Sequence, residues 1–225
     1  LGATPVFVDV LPDQNIDPSK IQAAITEKTK AIMPVHLTGR MCDMDPIMDI
    51  ANKYGLVVIE DAAQSVGSKY KEKPSGSIGD VGCFSCYPTK NLGAIGDAGL
   101  ITTNSADIAT KIRMLREYGW NNHISEFSGR NSRLDELQAA VLRIKLKYLD
   151  ADNFKRCQLA EYYTNQLSEL PIQLPTIRKK SESVFHLFVI QVGNRQALLE
   201  YLKEEGIQAG VHYSVPLHLQ PAYQD

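Results

Sequence analysis

The stretch Asp45-Pro-Ile-Met-Asp-Ile-Ala-Asn-Lys-Tyr-Gly-Leu-Val-Val-Ile-Glu-Asp61 decides the fold. An aspartate followed by a proline opens a helix, because the ring fixes φ near the helical value and the carboxylate can cap the free N–H groups. The helix from Pro46 to Tyr54 stops at Gly55, a residue suited to the left-handed C-terminal cap, and the β-branched run Leu56-Val-Val-Ile59 follows at once as a strand. The same device stands earlier in the chain. Asp17-Pro18 opens a helix through Ile21 and Ile25, and the apolar run Ala31 to Leu37 comes after it. Two such units in succession predict an α/β domain with a mostly parallel sheet, flanked by helices and joined by right-handed crossovers. Ligands of such sheets gather beyond the carboxyl ends of the strands, and Asp61 sits where its strand stops.

Lys90 falls on the same edge. It follows the strand-like Val81 to Tyr87 within the Gly-rich stretch Asp80-Val-Gly-Cys-Phe-Ser-Cys-Tyr-Pro-Thr-Lys90-Asn-Leu-Gly-Ala-Ile-Gly-Asp-Ala-Gly99. A lysine amine condenses with a carbonyl cofactor such as pyridoxal phosphate, and a carboxylate beside the pyridine nitrogen keeps that nitrogen protonated, so that the ring absorbs electrons. Taken singly, Lys90 reads as a solvated surface residue and Asp61 as a turn or cap residue. Their joint position points to the cofactor.

The remaining chain continues the alternation and then becomes helical. Asn104-Ser105 caps a helix marked by Ile108, Ile112 and Leu115 that ends near Gly119, and a polar loop runs from Trp120 to Ser132. Leu134, Leu137, Val141, Ile144 and Leu149 mark a long helix, a core or dimer stripe, which leads into a second through Phe154, Leu159 and Tyr162. Beyond Pro171 and Pro175 come a basic loop, Arg178-Lys179-Lys180, a strand from Phe185 to Val192, and a helix from Gln196 to Glu205 closed by Gly206. The division expected is a large domain over 1–148 and a smaller α/β lobe over 149–225. Pro5-Val-Phe-Val-Asp9 reads as a strand, and a chain that opens on Leu1 and stops at Asp225 is expected to lack N- and C-terminal parts of a longer protein.

Composition narrows the function. Twenty-four basic against 26 acidic residues leave no basic block to track a phosphate backbone, so nucleic-acid binding has no support. No apolar run approaches the roughly 20 residues needed to span a bilayer. Four cysteines, Cys42, Cys83, Cys86 and Cys157, form no spaced framework, which fits a reduced cytoplasmic compartment and buried structural thiols better than a metal site. No metal ligand set is expected.

Four motifs carry a resemblance: Glu60-Asp-Ala-Ala-Gln-Ser65, Phe84-Ser-Cys-Tyr-Pro-Thr-Lys90-Asn-Leu-Gly93, Gly129-Arg-Asn-Ser-Arg-Leu-Asp-Glu-Leu-Gln-Ala-Ala140 and Val211-His-Tyr-Ser-Val-Pro-Leu-His-Leu-Gln-Pro221. In this order, over nearly the whole chain, they resemble sugar aminotransferases of the DegT/DnrJ/EryC1/StrS type, which have the pyridoxal phosphate fold-type I architecture. The resemblance implies that Lys90 holds the cofactor and shuttles the proton, and that Asp61 partners the pyridine nitrogen. It places Gln64 near the phenolic oxygen and Ser85 on the phosphate. Asn131 lies in the segment that, in the family, reaches a neighbour's cofactor phosphate, which implies a homodimer with shared sites. Ser85 supplies a single donor, so the main phosphate site is expected on a segment preceding Leu1. His36, His123, His212, Tyr213 and His218 are candidate substrate contacts, each also readable as packing or surface.

One branch of the family has histidine in place of the lysine and deoxygenates; retention of Lys90 favours amino transfer. Asn131-Ser-Arg-Leu-Asp-Glu-Leu137 with Tyr118-Gly-Trp120 looks most like enzymes that aminate C3 of dTDP-3-keto-6-deoxyhexoses, with glutamate as amino donor. The rivals are amination at C4 or of a cyclitol ketone, and a regulatory or binding member that has lost catalysis.

Overall fold

The computed structural model of the chain describes residues 2–176 and 181–223, so the Arg178-Lys179-Lys180 loop lies outside the described residues. Helix α1 (Pro18–Ala24) starts where the aspartate–proline pair predicts, with the Asp17 carboxylate accepting from the Ser19 N–H at 2.9 Å. Helix α2 (Met44–Tyr54) starts two residues before Pro46, with Asp43 at its N-cap position. Asp43 spends its side chain elsewhere, accepting the Tyr70 hydroxyl at 2.5 Å. Burial, followed by this bond, pushes the Tyr70 phenol above its ordinary value. Gly55 closes α2 at φ +63°, a left-handed conformation that L side chains adopt at a cost.

Strands β1 (Ala31–Ile32) and β2 (Val57–Asp61) pair in parallel through Ala31↔Val57 and Ile32↔Val58. After the short antiparallel β3 (Lys69–Tyr70) and β4 (Lys73–Pro74), strand β5 (Val81–Ser85) joins β2 in parallel, in the register Asp61↔Cys83. Strand β6 (Gly99–Thr102) pairs antiparallel with β5. The central sheet therefore runs β1-β2-β5-β6 and is mostly parallel. Helix α3 (Ala106–Leu115) begins at Ser105, whose hydroxyl accepts from the Ile108 N–H. A small hairpin, β7 (Trp120–Asn121) and β8 (Ile124–Ser125), precedes α4 (Glu136–Lys145), α5 (Leu149–Leu167) and α6 (Arg195–Glu204).

Side chains alternate along β1 and the residues after it. Ile32, Pro34 and His36 point into the molecule, while Met33 and Val35 stay exposed. On β2, Val58 and Glu60 are the fully buried positions. The inward set joins Ile21 of α1 and Met44, Ile47 and Ala51 of α2 in one core. Each Ile, Val and Met side chain of this core contributes about 1.5–3 kcal/mol on burial, an upper bound relative to a compact unfolded chain. A charge in place of Ile47 would break this layer. A second cluster packs Leu142 of α4 and Leu149 of α5 against Cys86, Leu92 and Ala94 of the lysine loop. In the predicted helical stripe Leu149 is buried, while Leu137 and Ile144 face outward.

Two strand expectations are corrected. Residues 5–9 form no regular strand among the described residues; the nearest pairing is an isolated bridge between Val10 and Ile16. Residues 185–192 form an irregular strap. The Val184 and Leu187 N–H groups donate to the carbonyls of Gly39 and Thr38, so the backbone bonds a strand would place in a ladder go to a loop. Gln191 keeps one bridge, to Gln173.

Candidate active site

The strap, the lysine loop, the carboxyl end of β5, strand β6 and helix α3 line a cleft of about 1590 Å³. Of the residues singled out from the sequence, Lys90, Gln64, Ser85, His212 and Tyr213 line it. Asp61, the last residue of β2, is not among the lining residues and reaches the site through its charge. Burial lowers the affinity of Lys90 for its proton, and the Asp61 carboxylate partly opposes that shift. Among the described residues the Asp61 carboxylate accepts one hydrogen bond, from the Ala63 N–H at 3.0 Å, which leaves acceptor capacity for a ligand.

Gln64 is oriented by its backbone neighbour. The Thr38 N–H, a donor only, meets Gln64 Oε1 at 2.6 Å, so the carboxamide oxygen is committed there and the NH2 group is the free end. Thr38 itself has φ +61°, a left-handed value that is strained for a β-branched residue. Ser85 Oγ makes a 3.4 Å contact with the Tyr87 N–H, and the lysine turn closes by Lys90 N–H to the Tyr87 carbonyl at 2.9 Å. Cys83 also reaches the cleft and is not fully buried; burial and Asp61 push its thiol up, away from reactivity.

Four candidates lie elsewhere. His36 has no exposed surface, which corrects its reading as a substrate contact. The Cys42 N–H donates to His36 Nδ1 at 3.2 Å, so the ring proton sits on Nε2 and reaches Glu60 Oε2 at 2.9 Å. His123 is exposed and packs near the Trp120 ring, and His218 near Phe7; neither lines the cleft. Asn131 is exposed too, bridging Glu117 and accepting from Arg133 Nε, and is not among the lining residues.

Other residues of the site went unpredicted. Glu60 is fully buried and its carboxylate accepts from the N–H groups of Gly76, Ile78 and Gly79 at 2.6–2.9 Å, besides His36. Burial alone would raise its pKa, but the His36 and backbone donors outweigh it and hold the carboxyl below the usual range. His186, carried in by the strap, lines the cleft beside Lys90, and its Nδ1 lies 3.0 Å from Asn91 Oδ1. Arg113, Arg116, Arg133 and Arg156 line the cleft as well, against one lining carboxylate, Asp97. A sequence signal for His186 existed: it is the one titratable residue in the run Val184 to Val192. Chemically, the cleft offers a partly desolvated amine, an adjacent carboxylate and a cationic rim suited to phosphate groups.

The chain is similar to known proteins over almost its whole length. The dTDP-3-amino-3,6-dideoxy-alpha-D-galactopyranose transaminase of Aneurinibacillus thermoaerophilus is 52% identical over 228 residues, covering 100% of this chain and 62% of that protein. The UDP-N-acetyl-3-dehydro-alpha-D-glucosamine 3-aminotransferase of Acidithiobacillus ferrooxidans is 45% identical, covering 99% and 61%. The crystal structure of S. venezuelae DesV in complex with a ketimine intermediate superposes with a TM-score of 0.96 at 44% identity, over 99% of this chain and 61% of that one. The chain thus spans about three fifths of the length of these relatives. The profile of one family matches residues 1–225 throughout, and the chain belongs to it: the DegT/DnrJ/EryC1/StrS aminotransferase family.

Proposed function

We propose that this chain is the cofactor-binding part of a pyridoxal-phosphate-dependent aminotransferase that moves an amino group from glutamate to a nucleotide-linked keto-sugar, at C3 of a dTDP-3-keto-6-deoxyhexose. The observation that carries this reading is Lys90, half-buried and charge-coupled to Asp61, inside a cleft rimmed by four arginines. Enzymes of this family depend on pyridoxal phosphate. When bound, that cofactor supplies an aldehyde for amines and a ring that absorbs the electron pair left when a C–H bond breaks.

The donor set fits it. Lys90 would hold the aldehyde carbon, and once a substrate amine displaces it, Lys90 Nζ takes a proton from one carbon and returns it to another. Burial favours that base by enlarging the neutral fraction of the amine. The Asp61 carboxylate suits a protonated ring nitrogen, the Gln64 NH2 group a phenolic oxygen, and the Ser85 hydroxyl a phosphate oxygen. Asn131, exposed and outside its own cleft, can serve a cofactor phosphate only in a neighbouring copy, which supports a homodimer with shared sites. The arginine rim suits a nucleoside diphosphate, and His212 and Tyr213, which line the same cleft, are candidate contacts for its sugar. In this reading residues 1–148 form the large cofactor domain and 149–225 belong to the smaller lobe. Among the described residues no helix is long and apolar enough to cross a membrane, and we place the enzyme in the cytoplasm.

The test is borohydride reduction of the full-length protein with pyridoxal phosphate, followed by peptide mapping and product analysis. A pyridoxyl group on Lys90, and a dTDP-linked 3-amino sugar formed from glutamate, are expected. An adduct with a UDP-linked or 4-amino product would keep the chemistry and change the substrate. No adduct in a folded, cofactor-supplied protein would favour the non-catalytic binding reading.

A further inference from the structure

His186 enters the cleft on a strap whose anchor points are backbone carbonyls, and what holds its ring is a chain of two carboxamides. The Asn153 NH2 group donates to the Val66 carbonyl at 3.1 Å, and the Asn91 NH2 group donates to the Val184 carbonyl at 3.2 Å. A carbonyl only accepts, so both amides have their nitrogen ends fixed independently of each other. Asn153 Oδ1 then takes the second Asn91 proton at 2.8 Å, which leaves Asn91 Oδ1 facing His186 Nδ1 at 3.0 Å. An oxygen with no proton cannot donate to the imidazole. The ring proton of His186 therefore sits on Nδ1, and Nε2 is the bare nitrogen.

That assignment is opposite to the one at His36, whose Nδ1 accepts and whose Nε2 carries the proton. It also goes against the preference of a free imidazole in water, for which Nε2–H is the commoner form, so the carboxamide chain has a definite effect to produce. Among the described residues His186 Nε2 has no hydrogen-bond partner, and the residue lines the cleft with Lys90, Arg156 and His212. Burial first, then Lys90, Arg156 and His212, push its pKa down to about 4, so the ring stays uncharged at neutral pH. The space for this chain is kept by Gly67, at φ +91°, where a Cβ would lie 2.5 Å from Asn153 Nδ2.

We propose that His186 is a substrate-contacting residue whose bare Nε2 accepts a hydrogen bond from a hydroxyl of the keto-sugar, with Asn91 and Asn153 as the positioning residues that fix its tautomer. The proposal rests on the aminotransferase reading for the identity of the ligand, though not for the tautomer. Asp97 and the lining hydroxyls can also accept, but the hydroxyls rotate and the carboxylate is charged; His186 supplies a neutral acceptor of fixed direction in the same cleft as the lysine, without adding a negative charge that would repel a diphosphate. A substrate lacking the matching hydroxyl would leave the acceptor desolvated and unpaired, which is how such a group discriminates.

Two measurements on the full-length protein test it separately. Long-range 1H–15N correlation with 15N-labelled histidine, assigned by the loss of signals in His186→Gln, is expected to show Nδ1 protonated and Nε2 bare from about pH 8 to about pH 6. Asn91→Leu is expected to release the ring to the Nε2–H form, and Asn91→Asp to hold a second proton on it. An Nε2–H or doubly protonated His186 in the parent protein, or a tautomer unmoved by Asn91→Leu, would overturn the positioning chain whatever the enzyme does. The second measurement is steady-state turnover with the nucleotide-linked keto-sugar. His186→Phe is expected to raise KM for the sugar about tenfold while the half-reaction with glutamate, followed by cofactor absorbance, keeps its rate. Equal loss in both halves, or no change in either, would overturn the sugar contact. No turnover by the parent protein on any nucleotide sugar would count against the aminotransferase reading instead, with the NMR result standing.

Discussion

Glu60 and Asp61 are neighbouring carboxylates on one strand, and the molecule treats them in opposite ways. Glu60 points into the core, has no exposed surface and takes four hydrogen bonds, from His36 and three backbone N–H groups. Asp61 points to the other face, toward the lysine, and takes one. A carboxylate whose acceptor sites are filled by fixed donors is a structural knot: it ties β2 to the Gly76–Gly79 turn and to the loop after β1. A carboxylate left short of donors is held ready for something else. Two adjacent acids thus separate the part of the strand that builds the sheet edge from the part that uses it.

The sharpest way to break this contrast is to remove what Asp61 faces. Lys90→Ala should lower turnover about 10³–10⁴-fold, since both the covalent tether and the proton shuttle are lost, with thermal unfolding close to the parent. Asp61→Asn should cost about 10²-fold in turnover and shift the cofactor absorbance, again with little effect on melting. Glu60→Gln should do the reverse. It places a donor against N–H groups in a buried site and should destabilise the fold by about 3 kcal/mol in denaturant unfolding, while any protein still folded binds cofactor. If Glu60→Gln impaired chemistry more than stability, the structural assignment of Glu60 would fail.

Acid separates the two classes of buried group more gently. The folded pKa of Glu60 lies below the ordinary 4.5, so its stabilising contribution is present above pH 4.5 and is lost as pH falls through the folded value. For His186 the folded value, about 4, lies below the ordinary 6.5; its uncharged ring supports the fold above pH 6.5, and that support declines as pH falls from 6.5 toward 4. Melting temperatures recorded down this range should fall in two stages. His186→Phe should flatten the first, and Glu60→Gln the second.

How much of this was legible in the sequence depends on chain distance. Asp17, Pro18, Gly55 and Ser105 announce their elements because capping and left-handed turns are local decisions. Lys90, Asp61 and Gln64 were singled out from the motifs and from the rule that ligands gather at strand ends; the fold puts Lys90 and Gln64 in one cleft, with the Asp61 charge acting on the lysine. The helix start at Met44 was misplaced because Asp43, not Asp45, occupies the cap position while bonding to Tyr70 across the fold. The strand expected over 185–192 has the right composition, but its partners are loop carbonyls at Thr38 and Gly39 that no local pattern reveals. His36 was weighed as a ligand contact because its position at the end of an apolar run carries no sign of Glu60. His186 went unread for the same reason: its meaning depends on Asn91 and Asn153, brought together only by the closed fold.

The strap that delivers His186 also sets an order of events on the ribosome. Asn91 and His186 are 95 positions apart. At the roughly 5–20 residues per second of translation, the segment holding Lys90 and Asn91 exists for about 5–20 s before the histidine that Asn91 orients has been made. The turn's first supports are local, the Lys90 to Tyr87 bond and the Ala94 to Cys86 bond, and α4 and α5 then add Leu142 and Leu149 against Leu92 and the Lys145 amine on the Gly93 carbonyl. The strap that brings His186 into the cleft is thus the last of these pieces to be made, after the turn and the helices that hold it.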